Sequence, residues 1–249
     1  MSISVRGLTG EDEAVFAEEA ARGAPVLSLI ATLAARAGRR DGEAIADPGG
    51  LTIGEAQAVA LGLRAASLEG PVRAGFSCTA CGERLELPLD PRALLIPASA
   101  VPTDLAIDGF TLAFRPATVA DVLAAADPAE GGEGGLTLLG RCASARDASG
   151  AAVDVAALPA AVADAAAAHL LALDAQAETL LACACPGCGT ALEAVFDPAQ
   201  FLAAELATGT HTLFVDVLAI AARTGWTEQA ILAMPRLRRR GYAAALGAA

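Results

Sequence analysis

FSCTACGERLELPLDPRALL, residues 76–95, recurs 107 positions later as CACPGCGTALEAVFDPAQFL, residues 183–202. Cys78 falls on Cys185 and Cys81 on Cys188. Gly82 falls on Gly189, Leu85 on Leu192, Glu86 on Glu193, and Asp90-Pro91 on Asp197-Pro198. The shared pattern is CxxCGxxLExxxDP. Two cysteines three apart in a tight turn can aim both thiolates at one ion. The glycine after the second can take a positive φ, and the N–H groups of the turn can face sulfur. Two such turns supply four thiolates, so Cys78, Cys81, Cys185 and Cys188 are the expected ligands of one structural Zn2+ in a closed tetrahedral site. Redox-active CxxC pairs, two local disulfides and iron–sulfur ligation are the alternatives. Redox pairs usually open a helix, whereas each pair here opens a glycine turn into a strand.

The repeat also separates Cys185 from its neighbour. Cys183 falls on the strand before the turn, and it and Cys142 are expected as small buried apolar residues. Leu85 and Leu192 are expected to pack their hairpins against the core. Each Asp-Pro should start a helix, with Asp at the N-cap and Pro at N1.

Outward from the knuckles, strand-like stretches VRAGFSC and ERLELPLD flank the first pair, and ETLLACAC precedes the second. TDLAIDGFTLAFR reads as a hairpin turning at Asp108-Gly109. Helices are expected over GEDEAVFAEEAA, over PVLSLIATLAARAG with Pro25 at its first position, and from Thr52, where Glu55 completes a capping box. RRDGEAIADPGG and PAEGGEGG read as loops. Further helices are expected at residues 118–126, over LTLLGRCASARD, and over LPAAVADAAAAHLLALD. Three more are expected over DPAQFLAAELA, HTLFVDVLAIAARTG and TEQAILAM, with Pro235 interrupting the last. The fold class is therefore α+β and predominantly helical. It consists of a split four-cysteine zinc ribbon of two knuckle hairpins with a helical insertion and helical N- and C-terminal segments. The expected division is residues 1–70, a split module at 71–206 with an α/β insertion at about 97–175, and 207–249.

Composition narrows the function. The 249 residues carry a net charge of -12, which argues against coating nucleic acid or an anionic membrane. All 17 basic residues are arginine, so lysine Schiff-base and P-loop chemistry are excluded. No signal-peptide run or membrane span is read, and the expected location is a reducing cytoplasm. His169 and His211, the two histidines, read as packing or capping residues. With no nucleophile motif or paired-carboxylate constellation, an enzyme is not expected, and no small-molecule substrate is implied. The basic tail of Arg236, Arg238, Arg239 and Arg240, with Trp226 and Tyr242, is the candidate partner-binding surface, since Arg and Trp dominate interfaces.

That tail carries a resemblance. GWTEQAILAMPRLRRRGYAAAL, residues 225–246, resembles the GW-x-E-x-EIL-x-LP-x-x-RRR-x-x-Y ending of the T4-type phage baseplate and tail-assembly proteins, also found in contractile injection systems. LTIGEAQAVALGLRA, FTLAFRPATVADVLAAA and LLACACPGCGTALEAVFDPAQFLAAEL resemble further segments of that family, so the likeness covers most of the chain from Leu51 onward. Glu55-Ala56-Gln57 and Met234 depart from its pattern, and residues 1–50 match none of it. The resemblance implies a non-enzymatic baseplate component or assembly chaperone, cytoplasmic or built into a phage-like particle. Its partners would be other baseplate or tail proteins. A zinc-ribbon nucleic-acid-binding regulator is the alternative.

Overall fold

The computed structural model describes residues 3–97, 100–127 and 134–247. It is α+β, about 50% helix and 22% strand. Residues 128–133 of the expected PAEGGEGG loop lie outside the described residues. Two compact units form: 1–48, 57–95 and 179–249 make the first, and 49–56 with 96–178 make the second.

In the first unit, β1 (Ile3–Val5) pairs antiparallel with β2 (Gly38–Arg40), and β2 with β3 (Glu43–Ala44). Between β1 and β2 run α1 (Gly10–Ala21) and α2 (Val26–Ala37). The stretch expected as a loop thus holds a tight hairpin. Asp41 and Gly42 take φ of 50° and 87°, which suits a two-residue turn matching strand twist. Pro25 sits at the N-cap of α2, one position before its expected place. α3 (Ile53–Ser67) begins with the expected capping box: Glu55 N–H donates to Thr52 Oγ1 at 3.1 Å, and Thr52 N–H to Glu55 Oε2 at 2.9 Å.

Two hairpins follow in the same unit, β4 (Val72–Ser77) with β5 (Arg84–Leu89), and β10 (Thr179–Ala184) with β11 (Ala191–Phe196). Asp197 caps α7 (Pro198–Thr224), accepting from Gln200 N–H at 3.0 Å, with Pro198 at N1. Asp90-Pro91 begins only a turn, in which Asp90 accepts from Arg92 N–H at 2.9 Å. α7 is one helix where two were expected, and it crosses residue 206 unbroken. Thr208 and Thr210 donate their hydroxyls to the carbonyls of Ala204 and Leu206, one turn back, and so stay inside the helix. Gly209 lies under the Arg236 guanidinium, where a Cβ would come within 3.1 Å of Nη2. Its length and composition are those of a membrane-crossing helix. One face buries Leu202, Leu206, Leu213, Val217 and Ile220, while Phe214 and Leu218 lie exposed on another. α8 (Glu228–Leu232) and α9 (Arg236–Ala245) close the unit, with Pro235 at the N-cap of α9.

The second unit holds an antiparallel sheet of β6 (Asp104–Ile107), β7 (Phe110–Phe114), β8 (Ala143–Arg146) and β9 (Ala152–Val153), in that order. The β6–β7 turn falls at Asp108-Gly109 as expected. α4 (Val119–Ala125) packs against α5 (Gly134–Cys142), and α5 and α6 (Ala160–Leu173) pack with the sheet in a core of Leu112, Phe114, Leu139, Ala145, Val155, Val162 and Ala166. The helix expected over LTLLGRCASARD ends at Cys142. Pairing with β7 draws the alanine-rich remainder into β8, a tertiary contact overriding local propensity.

The repeat extends well beyond the knuckles. Strand, two helices, strand, short strand, 3-10 turn, helix and cysteine hairpin occur twice in the same order. Arg6–Thr9–Asp12 and Arg115–Thr118–Asp121 have identical spacing and identical bonding. In each, Thr and Asp form a capping box at a helix start. The preceding arginine donates to the aspartate, at 2.6 Å in the first and 2.5 Å in the second. A second arginine, Arg36 or Arg141, reaches the other carboxylate oxygen through Nε. Arg6 and Arg115 also donate to the carbonyls of Arg36 and Arg141. Buried among these donors, Asp121 is held far below the usual carboxylate range, chiefly by the Arg115 guanidinium. Burial alone would raise Asp12, but Arg6, Thr9 and Arg36 hold it down.

Candidate metal centre

Each cysteine turn is closed by the same two backbone bonds. Gly82 N–H donates to Cys78 C=O and Gly189 N–H to Cys185 C=O, both at 2.8 Å. Cys78 N–H donates to Glu83 C=O at 2.8 Å and Cys185 N–H to Thr190 C=O at 2.9 Å. Gly82 and Gly189 take φ of 76° and 75°, the left-handed region that a side chain would strain. The second thiol of each pair accepts from the backbone N–H two residues on, Cys81 from Glu83 and Cys188 from Thr190.

The two turns meet. Cys78 Sγ lies 3.7 Å from Cys188 Sγ, and Cys81 Sγ lies 3.6 Å from Cys185 Sγ. All four sulfurs fall within 4.8 Å of one another, an arrangement that can hold a metal ion. These separations exceed a disulfide bond of about 2.05 Å, and all six cysteines are free. Cys78 and Cys185 are buried with Leu85 and Leu192, while Cys81 and Cys188 face solvent. The Leu of each motif thus packs beside the sulfurs. The Thr190 hydroxyl and N–H lower Cys188 to about 6. The Glu83 N–H acts the same way on Cys81, but Cys188 and Cys185 outweigh it and push Cys81 up to about 12.

Cys183 stands outside the cluster, half-buried on β10 at the position Phe76 holds on β4, and packs against the same apolar group. Cys142 is buried at the end of α5, where burial pushes its thiol up. His169 contacts the Phe114 ring at 4.9 Å and the Pro102 carbonyl at 2.9 Å. His211 lies mid-helix on an exposed face of α7 rather than at a helix start.

The candidate partner residues divide. Arg239 is fully buried and bonds Glu13 at 2.7 Å and Asp216 at 3.4 Å. Arg236 also reaches Glu13, and Arg240 reaches Asp216 at 2.7 Å. For Arg239 the partner expectation is corrected, because its guanidinium is buried inside the fold, paired through Nη2 and Nε with Glu13 and Asp216. Arg236 and Arg240 complete the same chain of ion pairs. Trp226 and Tyr242 meet edge to face at 5.3 Å, and Arg238 lies over the Tyr242 ring at 5.6 Å. That trio remains partly exposed. Sequence reasoning missed Glu13 and Asp216 as the acids that the tail arginines seek. The apolar periodicity of α7 offered a signal: Asp216 interrupts its buried stripe between Leu213 and Val217.

The chain matches no family model, no curated protein and no solved structure.

Proposed function

We propose that this chain is a non-enzymatic component or assembly factor of a phage-like contractile tail baseplate, shaped by one structural zinc ion. The tail signature carries the reading: Trp226, Ile231, Leu232, Pro235, Arg238, Arg239, Arg240 and Tyr242 stand where the resembling family places its residues. The cysteine cluster supports the zinc. A tetrahedron with Zn–S bonds of about 2.3 Å has edges of about 3.8 Å, and the two cross-turn separations are 3.7 and 3.6 Å. Four thiolates fill the shell, so the ion would tie β4–β5 to β10–β11 without activating water. Stapling hairpins so far apart in sequence stabilises a core built largely of Ala, Leu and Val. Deleting the gene in a strain that makes contractile particles tests the function. Particles should fail to assemble complete baseplates under electron microscopy and be rescued by the intact gene. Normal particles, or a gene neighbourhood lacking sheath, tube and spike genes, would overturn the proposal.

A further inference from the structure

The duplication leaves one half without a cover that the other half has. In the first unit, α7 packs along α1 and α2. Beneath it and its neighbours Leu8, Leu33, Ala34, Ala60 and Leu63 are fully buried. At Arg64 the covering helix is fixed by an ion pair, Arg64 Nε to Glu205 at 2.8 Å. In the second unit the matching positions, taken from the repeated elements, are Ala117, Leu138, Leu139, Ala167 and Leu170, with Leu171 for Arg64. These residues line a groove of about 390 Å³, joined by Ile53, Val122 and Asp174. Leu171 is 48% exposed.

α3 contributes to this unit what α9 contributes to the other. Thr52 bridges Thr118 just as Pro235 bridges Thr9, with Ile53 N–H donating to Ala117 C=O as Arg236 N–H donates to Leu8 C=O. Among the described residues no counterpart of α7 exists here. Such a helix would start at Asp90-Pro91, where the chain makes only a turn. The polar pairs that fix the first unit's helices are replaced as well: Glu13 by Val122, Arg64 by Leu171, Arg236 by Ile53. The groove is therefore apolar, with Asp174 at its wall accepting from Gly54 N–H at 2.7 Å.

Charge states what kind of helix fits. Asp174 is the one charged residue among those lining the groove. α6 and the turn after it carry Asp164, Asp174 and Glu178 and no arginine, while Arg115 and Arg141 beside α4 are already paired with Asp121. A second copy of this chain, at net charge -12, would bring repulsion to that surface. We infer that the α4–α5–α6 groove is the docking site for an amphipathic helix of another protein, with leucine-type side chains on one face and arginine or lysine beside them. It is the vacant counterpart of the seat that α7 fills. Binding would follow the helix-in-groove mode, with apolar anchors one and two turns apart. A chain outside any tail assembly would carry the same groove.

The test uses full-length, metal-loaded protein with labelled leucine methyls and two synthetic helical peptides. Both peptides carry leucines at i, i+4 and i+7; one is flanked by arginines, the other by glutamates. The arginine peptide should shift the methyls of Leu138, Leu139, Leu170 and Leu171 saturably, about tenfold or more tightly than the glutamate peptide. Leu171→Glu, or Ala167→Glu at another exposed groove position, should abolish those shifts while leaving the remaining spectrum folded. Absence of groove shifts up to about 1 mM peptide overturns the site. Equal binding of the two peptides overturns the basic partner. Groove shifts that grow with protein concentration alone assign the groove to a second copy and overturn the proposed occupant.

Discussion

Replacing Arg239 with Met probes the innermost part of the fold. Methionine approximates the aliphatic stem of arginine but loses the hydrogen bonds to Glu13 and Asp216. Removing one partner of a buried ion pair typically costs about 3–5 kcal/mol, because the remaining charge is stranded. Here neither acid is left alone: Glu13 keeps Arg236 and Asp216 keeps Arg240. Arg240 is one-third exposed and compensates less than a buried partner. The cost should therefore sit near the lower bound, about 3 kcal/mol. With a urea m-value of about 2 kcal/mol/M, the midpoint should fall by about 1.5 M. Trp226, the single tryptophan, rests on Tyr242 of α9, so its fluorescence follows the unit concerned. Urea titrations of metal-loaded wild type and Arg239→Met, read at that tryptophan with a check that the slope is unchanged, give the answer. A midpoint shift below about 0.3 M would refute the internal role of the tail arginines and return Arg239 to the surface.

Other expectations follow from the same geometry. Wild-type protein should carry about one zinc per chain by elemental analysis; Cys185→Ser should lose it, and Cys183→Ser, which alters only a packing position, should keep it. Gly10→Ala should destabilise the first unit by about 1–3 kcal/mol, read by the same fluorescence, because its Cβ would sit 2.8 Å from Arg239 Nη1 and 2.9 Å from the Leu232 backbone. Asp12 and Asp121 have folded pKa values below the unfolded value of about 3.9. Their stabilisation is complete above that unfolded value and is lost as pH falls through the folded one. Asp121→Asn should flatten the acid limb of the stability–pH curve of the second unit, measured by its methyl NMR signals, and lower its stability at neutral pH.

The cysteine hairpins were legible because their chemistry demands fixed spacing and particular residue types. Glycine after the second cysteine, leucine three later and the Asp-Pro stop each answer a local requirement. The wider duplication was not legible by the same means. Its elements keep only the residues with polar tasks, such as Arg115, Thr118 and Asp121, while apolar positions drift among Ala, Val and Leu at little cost. An R-x-x-T-x-x-D search, prompted by the offset of the knuckles, would have found it. The errors at Ala143–Arg146 and at Thr208–Thr210 have different causes. At the first, pairing with β7 overrides the helix preference of alanine. At the second, Thr208-Gly209-Thr210 reads as a break, but both threonine hydroxyls bond carbonyls one turn back and the helix runs on.

The residues carrying the family resemblance are largely ones the fold consumes. The cysteines converge on one another, Pro235 bridges Thr9, Arg239 is enclosed by carboxylates, and Trp226 rests on Tyr242. A signature of that kind specifies how the last helices close over the first unit, so it speaks to shared architecture more directly than to a shared partner. Partner choice would then be written where the two halves differ. The same scaffold that receives α7 through Arg64 and Glu205 in one half presents Leu171 and Asp174 in the other. Replacing polar anchors by apolar ones at matching positions turns an internal seat into an external one. On the inferred docking role, partner choice would reside in α4, α5 and α6, while the tail and the cysteine cluster hold the first unit in shape.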